Sequence, residues 1–307
     1  MHQVITEAVT LKENRSWMRT DFLKKLFTNS LDSVRYYYFL MRVSQLPVIG
    51  VPLKKVVNLY YNYIHTNSIK LPFRDMEKVI RSVQHLYVEP CPCRLIQDNP
   101  SCETALFTCI RINYAADICR DEKKEKNKLS RTISAEEAIE ILKNGRKSGA
   151  VFSLESCIQP YQNNICVCCT CCCIEIKGRY EFGLDMSHSG PYIPKFTEAE
   201  DCSNCLACVG SCPVDALDVI SNKPVVDLSR CLGCGICWEI CPDHLIEMEF
   251  SRDRLRKVSE PGFFRMAGIM LFVYLQLFPL YFIYLCISGK QMKKEFNVLP
   301  RKLDIFS

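Results

Sequence analysis

Cys202-Ser-Asn-Cys205-Leu-Ala-Cys208-Val-Gly-Ser-Cys212-Pro213 is answered 29 residues later by Cys231-Leu-Gly-Cys234-Gly-Ile-Cys237-Trp-Glu-Ile-Cys241-Pro242. All four cysteines and the proline coincide at that offset, so the stretch is two copies of one small unit. Three thiols at intervals of three residues, on a tight loop, reach three corners of a cube-shaped metal centre. The fourth must come from a distance, because so short a chain cannot wrap a cube. Each closing proline turns the chain away from the site, since it offers no N–H to continue the preceding turn. Ala207, Gly210, Gly233 and Gly235 let the backbone approach closely. Zinc needs only paired Cys-x-x-Cys knuckles and leaves the third cysteine and the proline without a purpose.

The stretch resembles the bacterial-type ferredoxins that carry two 4Fe–4S clusters. That resemblance implies a dicluster ferredoxin-like domain with swapped fourth ligands. Cys202, Cys205, Cys208 and Cys241 would hold one cluster, and Cys231, Cys234, Cys237 and Cys212 the other.

Outside that run the chain is also rich in thiols, with 21 cysteines in 307 residues. A chain of this length does not need disulfide staples, and its start, MHQVITEAVTLKENRSW, has no apolar signal region. The thiols therefore read as reduced, metal-binding and cytoplasmic. Residues 1–90 hold 13 Lys/Arg against 7 Asp/Glu, and the remainder 26 against 27. The metal-binding part is thus close to neutral, and nothing points to nucleic acid.

The fold class expected is α+β, in five parts. Residues 1–88 form a helical, basic and aromatic N-terminal region. Within it, Pro47 and Pro52 split the run VRYYYFLMRVSQLPVIGVPLKKVVNLYYNYIH into two helices. Val56, Leu59, Tyr60, Tyr63 and Ile64 recur at helical spacing in the second, with Lys54 and Lys55 at its start. This hairpin either packs on the metal-binding part or lies in a membrane interface. A helix over about Arg74–Gln84 and a strand HLYVEP follow.

Residues 89–178 form a cysteine-rich α/β module. Its candidate ligands are Cys91, Cys93, Cys102, Cys109, Cys166, Cys168, Cys169, Cys171, Cys172 and Cys173. Unbound, so many thiols would oxidise or cross-pair. Adjacent cysteines point to opposite faces of extended chain, so neighbouring pairs are expected to serve two sites, or one site and a bystander. Ser134 and Glu137 predict a capping box, and AVFSL (150–154) a strand. The order Cys-x-Cys-Arg, scattered cysteines, capped helix, strand, Cys-x-Cys-Cys-x-Cys-Cys-Cys is similar to a group of ferredoxin-containing proteins in which such a module precedes a dicluster ferredoxin. The likeness covers roughly residues 70–250, and Cys119 and Cys157 fit it least.

Residues 179–200 are expected to be a linker and 201–250 the ferredoxin domain. There LDVISNKPVVDL forms a hairpin and LIEMEF closes the sheet. The final part, 251–307, holds the uncharged run 266–289, MAGIMLFVYLQLFPLYFIYLCISG, between basic flanks. At about 1.5 Å per residue it is long enough for a transmembrane helix.

Together these features predict a membrane-associated electron-transfer protein with its iron–sulfur domains on the cytoplasmic side. It would carry two 4Fe–4S clusters and one or more additional iron–sulfur clusters, and its partners would be redox proteins and membrane lipid. Two alternatives stay open: a membrane-bound reductase with an open or unusual Fe–S site in 91–173, and a metal- or redox-sensing or docking protein. No acid–base pair, phosphate-binding loop or flavin fingerprint names a substrate, which favours a carrier or reductase subunit over a stand-alone enzyme.

Overall fold

A computed structural model describes residues 30–63, 68–99, 101–123, 130–155, 164–196, 202–220 and 223–254, together with 271, 275, 279–284 and 286. The elements are α1 (Ser30–Val43), α2 (Gly50–Tyr63), β1 (Ile69–Leu71), α3 (Phe73–Ser82), β2 (Leu86–Pro90), α4 (Pro92–Gln97), β3 (Phe107–Ile112), α5 (Asn113–Lys123), β4 (Arg131–Thr132), α6 (Ala135–Lys147), β5 (Val151–Glu155), β6 (Asn164–Cys168), α7 (Ile174–Tyr180), β7 (Tyr192–Phe196), α8 (Ala207–Gly210), β8 (Leu217–Ile220), β9 (Lys223–Val226), α9 (Ile236–Ile240) and β10 (Ile246–Phe250).

Alternation along the strands builds the frame. β1 to β6 form one sheet in the order β1-β5-β6-β3-β2-β4, with antiparallel neighbours. Successive strand residues point to opposite faces. Leu71, Leu86, Val88, Ile110, Ile112, Phe152, Leu154, Ile165 and Val167 take one face and pack with α3 and α6 residues such as Met76, Ile80 and Leu142 in a continuous apolar core. The alternate residues Lys70, Glu89, Cys109, Arg111, Ser153, Glu155, Asn164 and Cys168 are buried too, and Cys166 is half-buried. A two-faced strand pattern normally marks a face left to water. Here α1, α2, α4 and α7 help to cover it.

The capping box on α6 forms as expected. Ser134 Oγ accepts from the Glu137 amide, and Glu137 accepts from the Ser134 amide, at 3.1 and 2.8 Å. The helix expected near Arg74–Gln84 spans Phe73–Ser82.

Three expectations differ from what the chain does. The buried stripe of α2 is Leu53, Val57 and Tyr61, while Val56, Leu59 and Tyr60 are only half-buried. That face packs with Tyr38, Leu40, Met41 and Ile174, so the hairpin is docked on the module. Leu46, Val48, Ile49 and Val51 at its tip are exposed. Residues 179–200, expected as a linker, contain β7. It pairs with β10 from Tyr192↔Phe250 to Phe196↔Ile246, so LIEMEF closes on β7 instead of on the β8–β9 hairpin. Finally, β1, α3 and most of β2 lie within 1–88, expected as a region apart from the cysteine-rich module, yet they belong to that module's sheet and core.

The expected transmembrane run 266–289 lies largely outside the described residues. Among the described residues, no helix is long and apolar enough to cross a membrane. Pro279–Tyr284 is helical. The Tyr281 and Tyr284 rings meet Tyr36 at 5.1 and 5.6 Å, while Leu271, Leu275 and Phe282 are exposed.

Gly190 joins the sheet to the ferredoxin part. Its amide donates to the Leu232 carbonyl at 2.8 Å, and a Cβ there would overlap the Lys70 backbone carbonyl. Gly190→Ala should therefore cost about 1–3 kcal/mol, the usual range for overpacking. Anaerobic denaturant unfolding measures this, and a midpoint equal to that of the unaltered chain would refute the junction role.

Candidate metal centres

The eight repeat cysteines line two cavities in a crossed arrangement. Cys202, Cys205, Cys208 and Cys241 surround one, and Cys212, Cys231, Cys234 and Cys237 the other. α8 and α9 are single short turns, each entered through a left-handed residue, Leu206 (φ 58°) and Gly235 (φ 78°). This folds the three closely spaced cysteines of each repeat inward. The second quartet is the drier one: Cys231, Cys234 and Cys237 are buried, whereas Cys205 is exposed. Burial accordingly pushes the Cys234 thiol up to about 11.

A third and larger cavity lies on the polar face of the module's sheet. It measures about 160 Å³, against about 20 Å³ for each of the other two. Cys109 stands directly across from Cys166 in the β3–β6 register, and Cys168 lies two residues along the same face. Cys91 and Cys173 occupy the N-cap positions of α4 and α7. With Cys93, these six cysteines line the chamber, and Cys169 and Cys172 border it as well. Their thiols also form one contact series: Cys91–Cys93–Cys173–Cys168–Cys166–Cys109.

The remaining four expected ligands, Cys102, Cys169, Cys171 and Cys172, gather separately, with every sulfur within 4.8 Å of the others. The neighbouring pairs Cys168/Cys169 and Cys172/Cys173 are divided between the two sets, but Cys171 and Cys172 fall in the same one, against expectation, because they lie in a turn. Cys119 is buried in α5 beside Tyr87 and lines neither set. Cys157 lies outside the described residues.

Sequence reasoning passed over the charged groups that share this face. Lys70, with a fully buried side chain, reaches Glu155 at 3.4 Å and Glu175 at 3.1 Å. Arg111 pairs with Glu89 at 2.7 Å. Asn164 donates to the Cys166 sulfur at 2.9 Å. The signal was present as polar residues at alternate strand positions, but those would ordinarily face solvent.

Arg94 differs from Lys70 and Arg111 because it donates to neutral oxygens and not to a carboxylate. It donates to Thr108 Oγ1 and to the Val167 carbonyl, the latter at 2.6 Å. Its buried Nε–H has no hydrogen-bond acceptor among the described residues. Burial alone would lower the guanidinium, but the thiolates of Cys91, Cys169 and Cys102 hold it above its ordinary value. A buried cation requires opposite charge. Ionised, metal-held thiolates would supply it, and Arg94 stands beside cysteines of both sets. The residues present therefore fit anionic metal–thiolate centres.

A family model described as "4Fe-4S dicluster domain" matches residues 195–242. The chain is 37% identical over 54 residues to the pyruvate synthase subunit PorD of Methanothermobacter marburgensis, covering 18% of this chain and 63% of that one. It is 36% identical over 55 residues to the indolepyruvate oxidoreductase subunit IorA of Archaeoglobus fulgidus, covering 18% of this chain and 9% of that one. An uncharacterized ferredoxin of Methanocaldococcus jannaschii is 31% identical over 48 residues, covering 15% of this chain and 77% of that protein. By this domain the chain belongs to the 4Fe–4S dicluster ferredoxin family. It spans less than two thirds of the length of PorD and IorA, and these matches together leave most of the chain without a counterpart.

The crossed cavities make a specific prediction. Cys212→Ala should abolish or reshape the EPR signal of the centre bounded by Cys231, Cys234 and Cys237, and leave the other centre's signal in place. A change confined to the Cys202 side would contradict the crossed arrangement.

Proposed function

We propose that this chain is a membrane-associated electron-transfer protein in which the ferredoxin domain serves the buried chamber of the cysteine-rich module. One observation carries the reading. Cys168 and Cys173 of the chamber share a single packed cluster with Cys231, Leu232, Cys234 and Ile236 of the second ferredoxin repeat. No solvent layer separates the two centres there.

When bound, 4Fe–4S clusters supply one-electron chemistry at potentials their surroundings set. The residues named above would hold them: two quartets in the ferredoxin repeats, and the six chamber cysteines for at least one additional cluster. The protein's own part is to order and shield these centres. The Cys202 quartet, with Asn204, Cys205 and Leu206 exposed, offers a face for a redox partner. The Cys231 quartet is enclosed between that face and the module. The Tyr180 hydroxyl donates to the Arg230 carbonyl, and Ser189 Oγ to the Cys231 carbonyl at 2.8 Å. These bonds fix the approach of the two parts. Electrons would enter at the exposed quartet and end in the chamber.

Membrane association rests on the run 266–289 and on the exposed tip of the α1–α2 hairpin. Tyr36 and Phe39 on α1 touch Tyr281 and Tyr284, so the helical turn Pro279–Tyr284 packs on the same hairpin that carries the exposed tip. The iron–sulfur part would then face the cytoplasm at the bilayer surface. Co-flotation of the intact chain with anionic vesicles tests this. Loss of flotation after replacing Val48 and Phe282 by Asp supports it, and an unaltered, freely soluble chain refutes it.

A second reading, a membrane-bound reductase, is favoured by the chamber's volume. At about eight times that of either ferredoxin cavity, it has room for a small molecule beside a cluster. Arg111, Glu155 and Glu175 would supply polar contacts there.

Both readings require iron in the module. Protein purified without oxygen should contain clearly more than about eight iron atoms per chain, the complement of two cubanes. A preparation with filled ferredoxin sites and only that much iron would remove the chamber from the relay.

A further inference from the structure

We propose that Cys102, Cys169, Cys171 and Cys172 form a separate site for one metal ion, zinc or iron, and take no part in an iron–sulfur cluster. The proposal goes beyond the relay reading and does not depend on it.

Spacing is the first argument. Four thiolates at about 2.3 Å from one tetrahedral ion lie about 3.8 Å from one another. The Cys102–Cys169 and Cys171–Cys172 sulfur pairs stand at 3.5 and 3.6 Å, and all four sulfurs lie within 4.8 Å of each other. Thiolates on a cubane must stand farther apart, since each binds outside a different metal corner. The same chain provides the control. Among the described residues, no three of the ferredoxin cysteines gather within 4.8 Å of one another, although all eight line the two ferredoxin cavities. The six chamber cysteines do not gather this way either; their contacts run in series.

Two separate chain segments, each carrying a tight turn, support the site: one gives a single thiol and the other three. Cys102 sits on a loop turned by Asn99, whose carbonyl accepts from the Cys102 amide at 3.1 Å and whose side chain accepts from the Ser101 amide at 3.1 Å. Thr104 ties that loop to Ser148 at the end of α6, at 2.9 Å. The other three thiols belong to the turn between β6 and α7, closed by the Cys173 amide on the Cys169 carbonyl at 3.0 Å. Tyr38 holds the same turn by donating to the Cys172 carbonyl. Two of the four thiols are buried and two half-buried, so the ion would be enclosed with all four positions filled. Closed, four-thiolate coordination is the structural type, with no position left for substrate.

The test uses the full chain purified without oxygen, unaltered and as Cys102→Ser and Cys171→Ser. Zinc, iron and acid-labile sulfide are counted per chain. The expected result is loss of about one zinc or one iron from each variant, with sulfide content and cluster EPR signals retained. Which metal is lost identifies the ion. Loss of sulfide together with several irons would place these cysteines on a cluster and overturn the proposal, as would an unchanged metal count. Should both variants fail to fold, the unaltered chain produced in cobalt-supplemented medium decides the matter. The intense visible bands of a tetrahedral cobalt–thiolate centre at one equivalent support the site, and their absence rules it out.

Discussion

The constraint on which the molecule depends is that its six-stranded sheet has no solvent face. One side meets an apolar core, while the other carries Lys70, Glu89, Cys109, Arg111, Glu155 and Cys168, all buried. Burying charge is costly, and pairing it rarely does better than break even against apolar packing. The Arg111–Glu89 and Lys70–Glu155–Glu175 contacts therefore limit a cost rather than drive folding. The driving force lies across the sheet, in the aliphatic residues between it and α3 and α6. What the expensive face gains is a dry, charged wall beside a row of thiols, which water and oxygen would otherwise reach. The α1–α2 hairpin makes sense as its cover: Tyr37, Tyr60 and Tyr61 close the chamber from the far side.

The same economy governs the join to the ferredoxin part. Around the second quartet, carbonyl groups are drawn outward. Arg254 and Ser189 take the Cys231 carbonyl, Gly190 the Leu232 carbonyl and Arg146 the Cys234 carbonyl, at 2.7, 2.8, 2.8 and 3.3 Å. In a trans peptide the following N–H points the opposite way. The amides of Leu232, Gly233 and Gly235 are thereby directed toward the thiols, and the Gly233 amide already meets the Cys231 sulfur at 3.4 Å. Hydrogen bonds to sulfur are among the features that set a cluster's potential. The arginines that dock the two parts thus also orient the donors of the quartet nearest the chamber.

Much of this was legible before the structure. The 29-residue repeat identified the ferredoxin part because its spacing has a chemical reason. Ser134 and Glu137 announced α6 because a capping box is a local device. The expected division of neighbouring cysteines fails at Cys171 and Cys172, which share one set because they stand in a turn and not in extended chain. What could not be read were partners distant in sequence. Nothing near Tyr192–Phe196 says that it will pair with residues 246–250, and its two prolines and glycine-bearing approach looked like a linker. The buried stripe of α2 moved to Leu53, Val57 and Tyr61 because docking on α1 and α7 chose the face, and apolar residues surround that helix. Arg94 was visible as the end of Cys-x-Cys-Arg, yet its meaning depends on thiols from β6 and the turn after it.

That turn also explains why the module behaves as one object. A peptide link fixes neighbouring Cα atoms about 3.8 Å apart. Cys168 and Cys173 belong to the chamber series and Cys169 and Cys172 to the Cys102 set, so two such links would tie the two sets together. The crossed positions of Cys212 and Cys241 tie the ferredoxin repeats in the same manner. Between the two ties, Cys168 and Cys173 pack against Cys231 and Cys234. A ligand lost at any point loosens a segment that a neighbouring centre also uses. Since metal binding free energy is folding free energy where the unfolded chain holds no site, occupancy of these centres would be coupled through the backbone. In the sequence CVCCTCCC, which looks redundant as a list of thiols, one turn contributes to both gathered sets.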